Sequence, residues 1–321
     1  MNTVFRCIVI TGLTAASALA PTAAHACSSC GCTLSSDWDS QGFATSSGFR
    51  FDLRYDYLNQ SQLRSGTQAL DRADFAPPQD REIELDTINR YTTLGLDYSP
   101  NADWGIHLQL PYVDRSHRTV SEGETEISAS HSSGIGDARL LVRYQGYTAE
   151  RNLGIEFGLK LPTGRHDVDF SAGPEAGERL DRGLQPGSGS TDALLGAYKF
   201  GTINQDWDYF VEGQLQVVLA SADRFRTGSS LNLNAGLRYM GNETFVPQIQ
   251  INARGVARDS GAEADRENSG GALVDLSPGL SVKVAKKLSL FGFVQLPLYQ
   301  RVNGLQLAPR ITASLGARFE F

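Results

Sequence analysis

From Phe49 to Phe321, apolar and polar side chains alternate with a period of two, segment after segment. In the first segment Phe49, Phe51, Leu53, Tyr55 and Tyr57 share one face, and Arg50, Asp52, Arg54 and Asp56 share the other. A strand points successive side chains to opposite faces, so one side here is wholly apolar and the other charged. The pattern returns with Thr92, Leu94, Leu96 and Tyr98, and with Trp104, Ile106, Leu108, Leu110 and Tyr112. Leu140, Val142 and Tyr144 oppose Asp137, Arg139 and Arg143, and Leu153, Ile155, Phe157 and Leu159 oppose Glu156 and Lys160. A weaker sixth segment carries Leu194, Tyr198 and Phe200 as its apolar set. Six more follow, the last with Ile311, Ala313, Leu315, Ala317 and Phe319 against Arg310, Thr312, Ser314, Arg318 and Glu320. The alternation predicts about twelve strands.

The connections alternate too. Short turns fall near 99–103, 148–152, 202–206, 240–244 and 285–287. Longer polar loops fall near 59–86, 114–134, 163–190, 221–228, 257–270 and 301–306. Tight turns on one rim and long loops on the other predict an all-β fold: a transmembrane antiparallel up-and-down β-barrel. A soluble Greek-key sandwich has no reason to keep that rhythm. Aromatic residues concentrate at strand ends, among them Tyr57, Trp104, Tyr112, Tyr144, Trp207 and Tyr239. Amphipathic rings favour the membrane–water boundary, where barrels carry aromatic girdles.

The start of the chain reads differently. Arg6, an apolar or small-residue stretch over 7–20, and Ala24–His25–Ala26 form an export signal over residues 1–26. The apolar stretch is shorter than the roughly 20 residues of a spanning helix. Residues 27–48 then form a Cys-rich segment expected in the periplasm, ahead of the barrel over 49–321. Cys27, Cys30 and Cys32 carry three readings: a disulfide with one thiol left over, a soft-metal site for Cu or Zn, or lipidation of Cys27. No cofactor beyond that metal is expected.

Composition adds little. The formal charge of −7 argues against nucleic acid as a partner. The interior face would carry Arg50, Asp52, Arg54, Asp56, Arg139, Arg143, Glu156, Lys160, Asp208, Glu212, Arg238, Arg254, Lys283, Arg310 and Arg318. Such a lumen either selects solutes or fills with paired charges, and a twelve-strand circumference is compatible with both. His117 and His131 share a loop with Glu122, Glu124 and Glu126, a grouping that reads as a solvated loop. His107, a strand histidine, points inward, and no nucleophile with a positioned base is evident, so no enzyme is expected.

Five segments carry a family resemblance: GIGDARLLVRY (134–144), GLKLPTG (158–164), GSGSTDALLGAYKF (187–200), LSPGLSVKV and FGFVQLPLYQ. They resemble the outer-membrane transporter-like family associated with the meta-pathway of phenol degradation. The resemblance implies import of small hydrophobic or aromatic compounds. Phe321, closing an alternating strand, is similar to the C-terminal signature that the barrel-assembly machinery reads in bacterial outer-membrane proteins. The expected partners are therefore outer-membrane lipid, that machinery and a small-molecule solute. The expected function is a passive outer-membrane channel. The alternatives are a metal-handling or thiol-redox protein anchored by its barrel, and a structural or adhesion barrel.

Overall fold

A computed structural model describes residues 47–321. The predicted signal segment and Cys27, Cys30 and Cys32 lie outside the described residues. In chain order the strands are β1 (Gly48–Gly66), β2 (Gln68–Ala69), β3 (Ile83–Ser99), β4 (Trp104–Val120), β5 (Ser128–Ile135) and β6 (Arg139–Tyr144). Next come β7 (Leu153–Lys160), β8 (Ser190–Asn204), β9 (Trp207–Ser221), β10 (Phe225–Arg226), β11 (Ser230–Tyr239) and β12 (Phe245–Val256). The last are β13 (Ser260–Gly261), β14 (Gly271–Ala285) and β15 (Leu288–Glu320).

Eleven of these strands close one antiparallel ring. Closure is made by β1 on β15, in register from Arg50↔Glu320 upward. β15 has 33 residues, which at about 3.3 Å each would far exceed an apolar band of about 25 Å. It is in fact a hairpin. Gly304 has φ +59°, and Glu320 N donates to Lys287 O at 2.9 Å, so its ends lie side by side. One leg pairs with β14 and the other with β1, giving the wall twelve crossings.

The outer wall is the predicted apolar face: Leu53, Leu94, Ile106, Leu140, Phe157, Leu233, Ile251 and Leu315 are all exposed on it. In lipid, every wall N–H and C=O needs a partner, which only a closed sheet supplies. Aromatic rings pair along the short-turn rim: Phe49 with Tyr98 at 4.4 Å, Trp104 with Tyr144 at 4.7 Å and Trp207 with Tyr239 at 5.3 Å. Three of the short turns share one device. Asn101 Oδ1 accepts from Asp103 N and Trp104 N, and Asn204 and Asn242 repeat this ahead of Trp207 and Phe245. An Asn side chain that caps its own turn leaves the next strand to begin on an aromatic residue.

Four expectations are corrected. In β8, Leu194 and Tyr198 face inward and Leu195 faces out, opposite to the predicted set. Leu195 pairs with Phe157 and Leu215 on the lipid side, and Tyr198 lies inside over its cross-strand partner Gly154. The loops around 59–86 and 114–134 are at least half strand, because β1, β3, β4 and β5 run on beyond the apolar band. The expected long loop over 301–306 is the tight hairpin turn at Asn303–Gly304. Arg310 does not face the lumen. It is the extra residue of a bulge between Pro309 and Ile311, exposed on the outer side.

Inward glycines make room for large inward side chains on the neighbouring strand. A Cβ on Gly236 would lie 2.2 Å from Phe210, one on Gly279 2.1 Å from Phe293, and one on Gly105 2.3 Å from Arg143. Each is a directly opposed pair, so the large group lies flat across the glycine.

Candidate functional site

The lumen is occupied unevenly. Near the short-turn rim its side chains pack closely. Asp97, 1% exposed, accepts from Arg50 Nε at 3.0 Å and from Arg143 Nη1 at 3.3 Å. His107 Nδ1 lies 3.6 Å from the same carboxylate, and Arg50 also reaches Ser99 Oγ at 2.5 Å. Gln214 donates to Glu156 at 2.6 Å, and Tyr198 donates to Gln145 at 2.9 Å. Phe210 packs beside Tyr198, and Phe291 and Phe293 bury each other on the inner face of β15. Two arginines on one buried aspartate compensate charges that would otherwise be costly to desolvate.

Above this layer lies a cavity of about 320 Å³. Arg54, Asp56, Tyr91, Arg115, Arg139, Glu212 and Gln214 line its wall, and Arg182, Gly183, Gln185 and Pro186 reach it from the loop after β7. Arg54 is bound to Asp56 at 2.8 Å. Arg115 is spent on the loop, donating to Gly183 O at 2.9 Å, and on Tyr91 Oη at 2.9 Å. Arg139 differs. Among the described residues it has no hydrogen-bond or ion-pair partner, and it lines the cavity.

The loop that roofs the cavity is tied down at its stems. Gly136, Asp137 and Ala138 break the run between β5 and β6. Asp137 accepts from Gly164 N at 3.1 Å, Ser188 N at 3.0 Å, Ser188 Oγ at 2.5 Å and Lys160 Nζ at 3.0 Å. Thr163 Oγ1 accepts from Ala138 N and donates to Gly136 O, both at 2.8 Å. A Cβ on Gly164 would sit 2.6 Å from Gly187 Cα, so the backbones of Gly136, Gly164 and Gly187 touch. Beyond the latch Phe170, Leu180 and Leu184 bury one another, and Phe170 packs on His117 at 6.3 Å between ring centres.

Ionisable groups above the apolar band are perturbed. Burial pushes the His117 imidazole down to about 3, aided by Arg115, while its Nδ1 is bonded to Thr87 Oγ1 at 2.8 Å. Burial, then Glu82, hold the Glu84 carboxyl well above its ordinary value. Asp181 is raised by burial and by Glu82, Glu84, Glu175 and Asp265.

This architecture has solved counterparts. An outer-membrane channel from Pseudomonas putida F1 superposes with a TM-score of 0.63 at 14% identity, covering 86% of this chain and 96% of that one. The β-domain of the Bordetella autotransporter BrkA superposes with a TM-score of 0.51 at 12% identity, covering 86% and 100%. The likeness is one of fold. No family model matches the chain, and no curated protein matches it.

The predicted lumen residues fall into separate places. Arg54, Asp56, Arg139, Lys160 and Glu212 border the cavity. Arg50, Asp52, Arg143, Glu156 and Arg318 belong to the buried interior. Arg238 pairs with Asp208 at 3.0 Å, and Arg254 donates to Asn232 at 2.9 Å. Lys283 is exposed at the end of β14. Phe321 N donates to Phe49 O at 3.0 Å, beside the closing strands. His117 and His131 do not come together: the first is buried inside and the second exposed outside near Asp114. Sequence reasoning missed Arg115, Arg182 and Ser188. They lie where neither strand face has to be apolar or in a loop, so no periodic signal marks them.

Proposed function

We propose that the protein is an outer-membrane channel for small solutes, and that its cavity favours organic anions with an apolar part, aromatic acids among them. The observation that carries this is Arg139, a guanidinium without a partner among the described residues in a roofed cavity. An anion entering there meets a donor fork that no side chain already occupies. Pro111, Val113, Leu141 and Phe225 supply apolar surface on the same cavity. The closed lipid-facing wall, and the fold shared with an outer-membrane channel, support the location and the transport reading. The sequence resemblance supports the aromatic class.

Flux through the packed layer of Arg50, Asp97 and Arg143 requires those side chains to move, so the channel passes small solutes only. The test is reversal potential across a planar bilayer under a salt gradient, with benzoate and benzylamine as organic probes. Arg139→Gln is expected to lower benzoate permeability several-fold relative to benzylamine. Equal permeabilities in the parent protein, or an unchanged ratio in the variant, would remove the anion reading. A purified barrel that passes neither probe would remove the channel.

A further inference from the structure

The outer wall changes character at one level. On β15 the last lipid-facing apolar residue is Ile311, and the next toward the long-loop rim is the exposed, bulged Arg310. On β4 the apolar run ends at Tyr112, followed outward by Asp114, Ser116 and Arg118. Arg90 pairs with Asp114 at 3.0 Å, and Arg118 is bidentate on Asp86. Those two arginines are neutralised. Two others on the same sector are not.

Arg310 and Arg72 line one groove of about 380 Å³, with Gln62, Leu70 and Asp71. Arg310 has no hydrogen-bond or ion-pair partner among the described residues. Arg72 donates to Ser61 O at 2.6 Å and also to Leu85 O, which holds it between β1 and β3, and its Nε has no partner. Burial opposes the charge on Arg72 most, Asp86 supports it, and Arg310 and Arg118 each oppose it by less than Asp86 supports it. The carboxylate in the groove, Asp71, is engaged in capping Ala73 N at 3.0 Å. Two guanidinium groups face one carboxylate, Asp71, in this groove, and neither is ion-paired with it, so the groove keeps one positive charge in excess and the donors of Arg310 are open to an anion.

Position decides which anion. A groove on the lipid-facing side, one residue beyond the apolar band, sits at headgroup depth, where lipid phosphates lie and where each basic residue adds to binding. We propose that Arg72 and Arg310 bind a phosphate of a lipid headgroup in the leaflet on the long-loop side. Under the location proposed above this is the outer leaflet, and the matching lipid is a phosphorylated glycolipid. The guanidinium of Arg310 faces the lipid directly, while Arg72, whose Nη2 is fixed by two backbone carbonyls and whose Nε is buried, adds its remaining Nη1 and its charge from a side chain already ordered.

The test is native mass spectrometry of the full barrel released from detergent with bisphosphorylated lipid A, dephosphorylated lipid A or inorganic phosphate. Parent protein is expected to retain bisphosphorylated lipid A, and not the dephosphorylated form. Arg310→Gln should weaken retention roughly fivefold, and Arg72→Gln with Arg310→Gln about thirtyfold. Arg310 makes no bond in the fold, so the single variant should keep heat-modifiable migration and remain a valid test if the double variant does not fold. Millimolar inorganic phosphate should leave retention unchanged. Equal retention of both lipid forms, unchanged retention in Arg310→Gln, or displacement by inorganic phosphate would each overturn the proposal. Lipid retention is read without solute flux, so its outcome is separate from that of the channel.

Discussion

Glu84 has one carboxylate oxygen on Leu307 N at 3.3 Å and the other without a partner among the described residues. Burial and its acidic neighbours raise its pKa, so the folded state binds that proton more tightly than the unfolded chain. The resulting stabilisation is complete below the ordinary value of 4.5 and is lost as pH rises through the shifted value. Glu84→Gln is therefore expected to protect the loop segments 67–82 and 165–189 from hydrogen exchange more than the parent at pH 8. At pH 4 the two should match. A parent-to-variant difference that does not grow between those pH values would remove this account. Arginine shows equally how surroundings decide a residue's work. Arg143 is buried on Asp97, Arg139 faces a cavity unpaired, and Arg310 leaves the lumen altogether.

At the scale of elements, the Asp137 latch joins three stretches far apart in the chain. The segments containing 134–137, 161–164 and 187–190 meet there, through Gly136, Gly164 and Gly187. These are the glycine-rich stretches on which the family resemblance rests. Their spacing in the sequence does not disclose the contact, because the bonds that make the latch run between stretches more than 20 residues apart. Asp137→Asn keeps the shape but removes the charge that Lys160 and the Ser188 amide and hydroxyl address. The roof over 165–186 is expected to loosen, and single-channel conductance to rise. Conductance equal to that of the parent would show that the roof is held elsewhere.

The glycine–aromatic pairs are a second element-scale constraint. Gly236→Val places new carbons on the Phe210 ring, which is buried and packed beside Tyr198. Overpacking of this kind costs about 1–3 kcal/mol. It should appear as a lower temperature of heat-modified migration, and an unchanged transition would argue that the inward ring is mobile. These pairs also explain the misread β8. A leucine and a tyrosine in alternation look lipid-facing, unless the glycine opposite Tyr198 is known.

For the whole molecule, one ring of backbone bonds separates an apolar outside from a polar inside, with the closing contact between β1 and β15. The refolded chain is expected to be monomeric and heat-modifiable in detergent, and to aggregate when detergent is withdrawn. A folded monomer in plain buffer would contradict a wall whose outer face carries Leu94, Ile106, Phe157 and Leu233. Strand number, the apolar face of eleven of the twelve crossings and the short turns of one rim were legible from residue order alone. Period-two patterning is a local property, and lipid on one side enforces it along each crossing. Beyond the apolar band nothing enforces it, so the extensions of β1, β3, β4 and β5 read as loops. The bulge that turns Arg310 outward, the latch at Asp137 and the vacant donors of Arg139 depend on which strands become neighbours once the ring closes. Residue order states what each strand prefers on its two faces; only closure decides which side chains then meet across the interior and which are left facing space.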